Sequence, residues 1–200
     1  MERNRFRGPA IAVAVSAAIA TYFVLSFLFF PAYFHSTLAS KHPAPQVTSV
    51  SISPMQAKVG QQIEIRVSAT NNGDDADAQT VSVAFPNITS AGKITVVSQD
   101  FLQRPILISM GTPVAANYSA GEQTVAAKYA AIEAQSWPWE KGKTYTLELR
   151  ASPQSPGTFV ILVKSVALPH NGQMANYPES GVLDQQDEYA QPYLVTVKNS

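Results

Sequence analysis

His170 and Met174 stand four residues apart in His170-Asn-Gly-Gln-Met-Ala175, a stretch whose Asn and Gly mark a loop. An imidazole and a thioether are donors that copper accepts, but blue-copper geometry also requires a thiolate, and the chain has no cysteine. A multi-histidine site is equally short of ligands, because the other histidines, His35 and His42, follow closely on the N-terminal apolar run. Two carboxylate groups, Asp74, Asp75 and Asp77 and then Asp184, Asp187 and Glu188, supply the hard oxygen donors that Ca²⁺ selects at flexible sites. Neither has EF-hand spacing, and turn formation and solubility account for both. As general acids or bases these carboxylates would need a cleft or a raised pKa, and the sequence indicates neither. The expectation is a chain with no cofactor and no assigned metal.

Trp137-Pro138-Trp139 is the densest aromatic feature outside the N-terminal region. Loop tryptophans anchor protein interfaces, and they also plug the ends of sandwiches, so two readings stand side by side. Asn87-Ile-Thr89 and Asn117-Tyr-Ser119 are glycan acceptor motifs for an exported chain. There is no G-x-S-x-G nucleophile elbow and no G-x-x-x-x-G-K phosphate loop. These absences favour binding over turnover.

The elements that must position these residues fall into two unlike parts. From Gly8 to Ser40 no Lys, Arg, Asp or Glu occurs, and Ala10 to Phe30 is almost wholly apolar, about the 20 residues a spanning helix requires. Arg3, Arg5 and Arg7 precede it, which places residues 1–8 in the cytoplasm, residues 9–34 in the membrane and the rest outside. Ala10, Ala14 and Ala18 give the span a small-residue stripe of the sort that lets helices approach. The competing reading is a cleaved signal peptide ending at Thr37-Leu38-Ala39; the length of the apolar core favours the anchor, and both readings export the domain.

Residues 35–45 read as a spacer, since Lys41-His-Pro-Ala-Pro45 is short, polar and proline-bearing. Residues 46–198 read as one extracytoplasmic mainly β domain. Val47, Val50 and Ile52 mark a first strand, Pro54, Lys58 and Gly60 a turn, and Ile63, Ile65, Val67 and Ala69 a second strand with clear two-residue alternation. Asn71 to Asp77 supplies turn chemistry, and Val81, Val83 and Phe85 return. Further strands are expected over 93–98, 105–110, 144–150, 158–166 and 193–197, while 121–135 fits helix and strand equally. The continuous apolar run Phe159 to Val163 predicts a strand covered on both faces near a sheet centre. From Lys41 onward there are 11 basic and 13 acidic residues, a balance without the basic surface nucleic acid requires.

Val59-Gly60, Ile63-Glu-Ile-Arg-Val67, Asn71-Asn-Gly73 and Val81-Ser-Val83 resemble the opening of immunoglobulin-like domains of the cell-adhesion-related (CARDB-like) type found in bacterial and archaeal surface proteins. Trp137-Pro-Trp139, Gly157-Thr-Phe-Val-Ile-Leu-Val163 and Pro178-Glu-Ser-Gly181 with Asp184-Gln-Gln186 are similar to segments of archaeal exported proteins. The resemblance implies an immunoglobulin-like antiparallel β-sandwich used for adhesion, spacing or assembly, and it carries no catalytic residues to transfer. The chain beyond Gln46 is longer than the ~100 residues of a plain immunoglobulin domain, so insertions are expected between Gln99 and Lys143.

The function expected is that of a membrane-anchored interaction module without catalysis of its own. Its partners are membrane lipid, through the N-terminal helix, and another envelope or membrane protein, met by Trp137, Trp139, His170 and Tyr177. Nucleic acid is not among them. An accessory single-span subunit of an integral membrane complex is the alternative, with an exported metal-binding protein, using Asp74, Asp75, Asp77, His170 and Met174, behind it.

Overall fold

A computed structural model describes residues 42–119, 122–168 and 178–199, together with Thr21. The expected span at 9–34 therefore lies outside the described residues apart from Thr21, as do His170, Met174 and Tyr177. Among the described residues no helix is long and apolar enough to cross a membrane. The chain divides into two compact units, Met1–Ser40 and Lys41–Ser200, and the strands belong to the second.

The strands are β1 (Pro45–Ser53), β2 (Gln56–Lys58), β3 (Ile63–Asn71), β4 (Ala78–Phe85), β5 (Ile94–Gln99), β6 (Ile106–Ile108), β7 (Pro113–Ala115), β8 (Thr124–Ala126), β9 (Ala130–Ser136), β10 (Thr144–Ala151), β11 (Gly157–Leu168), β12 (Val182–Leu183) and β13 (Tyr189–Lys198). They form a smaller sheet in the order β1-β3-β10-β5 and a larger one in the order β12-β13-β11-β4-β9-β6. Pairing is antiparallel except where β2 joins β13, and β7 with β8 makes a separate two-stranded ribbon. The turn expected between Pro54 and Gly60 thus contains a short strand, through which the chain passes from the smaller sheet to the larger.

Alternation dictates the packing, because a strand turns successive side chains to opposite faces. Ile63, Ile65, Val67 and Ala69 of β3 and Tyr145, Leu147 and Leu149 of β10 meet Val81, Val83 and Phe85 of β4, Ile132 of β9, Phe159, Ile161 and Val163 of β11 and Val195 of β13 in one apolar cluster. The described domain is thus a mainly β, antiparallel two-sheet sandwich. On the smaller sheet's other face, Glu64 lies opposite Arg150 and Arg66 opposite Glu148, and both pairs are joined at 2.8 and 2.7 Å. Exposed pairs of this type add little stability, but a one-residue slip would bury the charges, so they help fix register.

The larger sheet has a second covered face. Ala84, Ala131 and Leu162 pack there with Ile108, Val114, Ala127 and Ala190, and Val125 and Tyr129 lean on them. Burial on both faces explains the continuous apolar run of β11, which is flanked by β13 and β4 inside the sheet as the sequence predicts. It also explains why the sequence left 130–135 undecided. β9 reads Ala-Ala-Ile-Glu-Ala because both its faces are covered, and that removes the two-residue period.

One end of the sandwich is closed by Trp139. Its indole is 0% exposed, stands edge-on to Tyr145 at 4.7 Å and to Phe101 at 5.6 Å, and donates from Nε1 to the Lys143 carbonyl at 2.8 Å. Buried Asn71 ties the same end together. Its Nδ2 donates to the carbonyls of Asp74 (2.6 Å) and Trp139 (3.2 Å), and its Oδ1 accepts from the amides of Ala44 (3.0 Å) and Gly73 (3.1 Å). Residues 42–44, expected as the end of a free spacer, are consequently fastened to the β3–β4 turn, with Asp74 N–H on the His42 carbonyl at 3.0 Å. Gly73 permits this crossing, since a Cβ there would run into the backbone of His42 and Ala44.

These placements give the two tryptophans opposite energetics. Trp139→Ala should cost about 3–5 kcal/mol in denaturant unfolding, the scale for emptying a core aromatic site. Trp137→Ala, 57% exposed, should stay within about 0.5 kcal/mol. Equal costs would contradict the packing described.

Candidate functional site

The strand register brings together three polar residues on the covered outer face of the larger sheet. Lys164 of β11 lies opposite Ser82 of β4, and Ser82 lies opposite Glu133 of β9, so the three form one row across adjacent strands. Neighbouring positions in such a row sit about 5 Å apart at Cβ, and the small central serine leaves room for both long side chains. Lys164 is 3% exposed. A lysine at that depth requires partners.

Residues 184–188 supply them. The turn closes through Asp184 N–H to the Glu188 carbonyl (3.0 Å), with Asp187 at its apex in the left-handed region at φ 58°. Lys164 Nζ lies 2.6 Å from Asp184 Oδ2, 2.5 Å from Glu188 Oε2 and 2.8 Å from Gln186 Oε1, so each of its three N–H groups has an acceptor. Asp184 Oδ1 is occupied separately, accepting from the amides of Gln186 (2.8 Å) and Glu188 (3.2 Å). Asp184 and Glu188 are therefore buried ligands of an ammonium rather than solvated loop residues, which corrects the sequence reading. Asp187 alone of the three is exposed.

The same five residues hold down the chain that crosses the outer face. Gln185 Oε1 accepts from the amides of Lys128 and Tyr129 (2.8 and 2.9 Å), and its own N–H donates to the Tyr129 hydroxyl (2.8 Å). Gln186 Nε2 donates to the Ala115 carbonyl (2.8 Å), and Glu188 Oε1 accepts from Tyr118 N–H (2.9 Å). Hence the β7–β8 ribbon and its flanks are tied to β11 through a single polar cluster.

The cluster opens onto a depression of about 170 Å³, lined by Thr80, Glu133, Gln135, Val166 and Leu168 beside Lys164 and Glu188. Burial raises the Glu133 carboxyl above its ordinary value; Lys164 and a hydrogen bond from Gln186 pull it back, and Glu188 and Asp184 push it up. Burial likewise pushes the Tyr129 hydroxyl to about 12, helped by Asp184 and opposed by its bond with Gln185. What the arrangement offers chemically is an amine and carboxylates held together away from water, with a further carboxyl inclined to keep its proton.

The residues singled out from sequence are dispersed. Trp137 is exposed beyond β9, its N–H on Gln103 Oε1 at 3.0 Å, whereas Trp139 is in the core and is withdrawn from partner contact because nothing of its indole reaches solvent. Asp74, Asp75 and Asp77 are exposed in the β3–β4 turn; Asp74 Oδ2 accepts from His42 N–H (3.2 Å) and Asp75 Oδ1 from Lys141 N–H (2.8 Å), as turn carboxylates do. Among the described residues no group of His, Cys, Asp and Glu is placed to hold a metal ion. Asn87 and Asn117 are both exposed, with Asn87 Oδ1 accepting from Val160 N–H (2.7 Å) and Asn117 Nδ2 donating to Gln123 Oε1 (3.0 Å).

The sequence carried a signal for this cluster: Lys164 is the one charge in the apolar run of β11, and Glu133 the one charge in β9. Isolated charges in such strands call for a buried counter-charge.

Glu133 makes the site testable by pH. Its folded-state pKa lies above the ordinary value of 4.5, so stability falls as pH rises through that raised pKa and the group ionises in place. Below 4.5 it is protonated folded or unfolded and contributes nothing. Glu133→Gln should therefore raise the thermal midpoint at mildly alkaline pH and lose that advantage in acid. A pH-independent effect would contradict the burial assigned to this carboxyl.

No protein-family model and no curated protein matches the chain. Among solved structures, a cohesin module from a Clostridium perfringens family 33 glycoside hydrolase is 11% identical, over 80% of this chain and 99% of that one, at a TM-score of 0.37. A CARDB domain from Pyrococcus furiosus, solved with two metal ions, is 10% identical over 81% and 92%, also at 0.37. A β-glucosidase from Listeria innocua, 11% identical, is matched over 78% of this chain and 16% of its own length, again at 0.37. Likenesses at this level assign neither family nor role.

Proposed function

We propose that this chain is a membrane-anchored extracytoplasmic interaction module, held by residues 9–34 and binding another envelope or membrane protein through the β6 edge of its larger sheet. The observation that carries the reading is a run of exposed apolar side chains along that edge. Leu102, Ile106, Leu107 and Met110 are 57%, 47%, 54% and 59% exposed. Trp137 joins them, because its amide bonds Gln103 and the Leu102 amide bonds Ser136.

β6 is the terminal strand of the sheet, and among the described residues nothing pairs with its free side. Short edge strands are usually blunted with charge, whereas this one presents Ile106 and Leu107. An apolar segment of a partner laid along it would gain main-chain pairing from the edge and desolvation from Trp137 and Leu107. The covalent link to an apolar N-terminal segment supports a partner at the membrane surface.

The test is recovery of partner from mild detergent with the intact chain. Trp137→Ala combined with Leu107→Ala should weaken recovery by more than about 2 kcal/mol, roughly thirtyfold, while the melting transition stays near wild type. Normal recovery by the folded double variant would place the interface elsewhere, and multiple turnover of a substrate by the purified chain would replace the class of function.

A further inference from the structure

The buried cluster on the outer face holds an amine between two carboxyl groups in one dry site. We propose that Lys164 and Asp184 condense to a side-chain amide, an isopeptide bond that joins β11 covalently to the turn preceding β13, with Glu188 carrying the protons.

Every group the reaction requires is in place. The nucleophile is Lys164 Nζ, 2.6 Å from Asp184 Oδ2. The carboxyl is fixed in orientation because its other oxygen, Oδ1, accepts from the amides of Gln186 and Glu188 at 2.8 and 3.2 Å. Those two N–H groups already point at the atom on which negative charge develops when the amine adds to Cγ, which is the arrangement of an oxyanion hole. Glu188 Oε2, 2.5 Å from the same Nζ, is within reach as general base and acid, and Glu188 is itself oriented by Tyr118 N–H on Oε1 at 2.9 Å.

The balance closes without any other reagent. Glu188 takes a proton from the ammonium and passes it to Asp184 Oδ2; the free amine adds to Cγ, forming the C–N bond and placing the charge on Oδ1. A second proton leaves the nitrogen through Glu188 to the same Oδ2, the C–O bond breaks, and one water departs while Glu188 returns to its carboxylate. The depression beside Lys164 is the exit.

Condensation lowers the number of buried charges. Lys164, Asp184 and Glu188 side chains are 4%, 2% and 6% exposed, so the unreacted site keeps a cation and two anions out of water; the reaction removes the cation and one anion, and Glu188, left facing a neutral amide, keeps the Tyr118 N–H on Oε1. Glu133, held toward its protonated form across the row, adds little negative charge of its own. In a chain without cysteine such a bond would be the covalent staple that a disulfide supplies elsewhere.

Intact-mass measurement and peptide mapping of the purified full-length chain test this directly. The wild type should weigh one water less than its sequence and yield a branched peptide joining Lys164 to Asp184. Asp184→Asn should reach the same final mass, because ammonia leaves in place of water; an ion pair alone would give no such product. Lys164→Arg and Glu188→Gln should keep their full sequence masses, with a cooperative melt showing that they fold. A wild-type chain at full sequence mass with no branched peptide overturns the proposal, a branch through Glu188 overturns the choice of acceptor, and complete condensation in Glu188→Gln overturns the proton relay.

Discussion

An ammonium group held out of water on the face of a sheet sets the conditions for the outer half of this molecule. Lys164 has three N–H donors, and the fold answers all three with Asp184, Gln186 and Glu188. Removing one partner from a buried charge set commonly costs about 3–5 kcal/mol, because the remaining charge is left uncompensated. That penalty enforces the position of residues 184–188, and those residues in turn fix what they bond. The amides of Tyr118, Lys128 and Tyr129 end on side chains of this one turn. The β7–β8 ribbon is only three residue pairs long and could not stand alone; it is ordered by this attachment and by the small apolar cluster beneath it.

A comparable node works at the end closed by Trp139. Asn71 is buried, and its four hydrogen bonds join the entering chain, the β3–β4 turn and the strand-end bridge between Ala76 and Trp139. Between the two nodes lies an apolar interior that supplies the driving force for folding but little direction. The polar nodes select which loops lie on it, since a displaced loop would leave buried donors without acceptors.

Sequence periodicity revealed the sandwich where one face of a strand is covered and one is wet. Ile63, Ile65, Val67 and Ala69 alternate with exposed or half-exposed residues, and β3 spans them. The continuous run at Phe159 to Val163 was equally legible, because only an interior strand covered on both faces tolerates it. Residues 130–136 were not: small residues on both faces erase the period that separates strand from helix. The short strands β2, β7 and β12 carry too few residues to show any period. As for the site, Asp184 and Glu188 read as ordinary turn residues because nothing local distinguishes a carboxylate facing water from one facing a lysine 20 positions upstream. Only the pairing of β11 with β4 and β13 brings the two together. Trp137 and Trp139, two residues apart, would share a face in a regular strand, yet one points to solvent and the other to the core, because both lie in the connection between β9 and β10 where the two-residue period no longer holds.

The central claim is that the Lys164 cluster holds the outer covering as part of the folded core rather than as a loop resting on it. Native-state amide hydrogen exchange reads this most directly. The account predicts that the amides of Tyr118, Lys128, Tyr129, Gln186 and Glu188 exchange slowly and as one group, with protection approaching that of β4 and β11. Exchange of these amides at the rate of open loops, with β4 and β11 still protected, would contradict it.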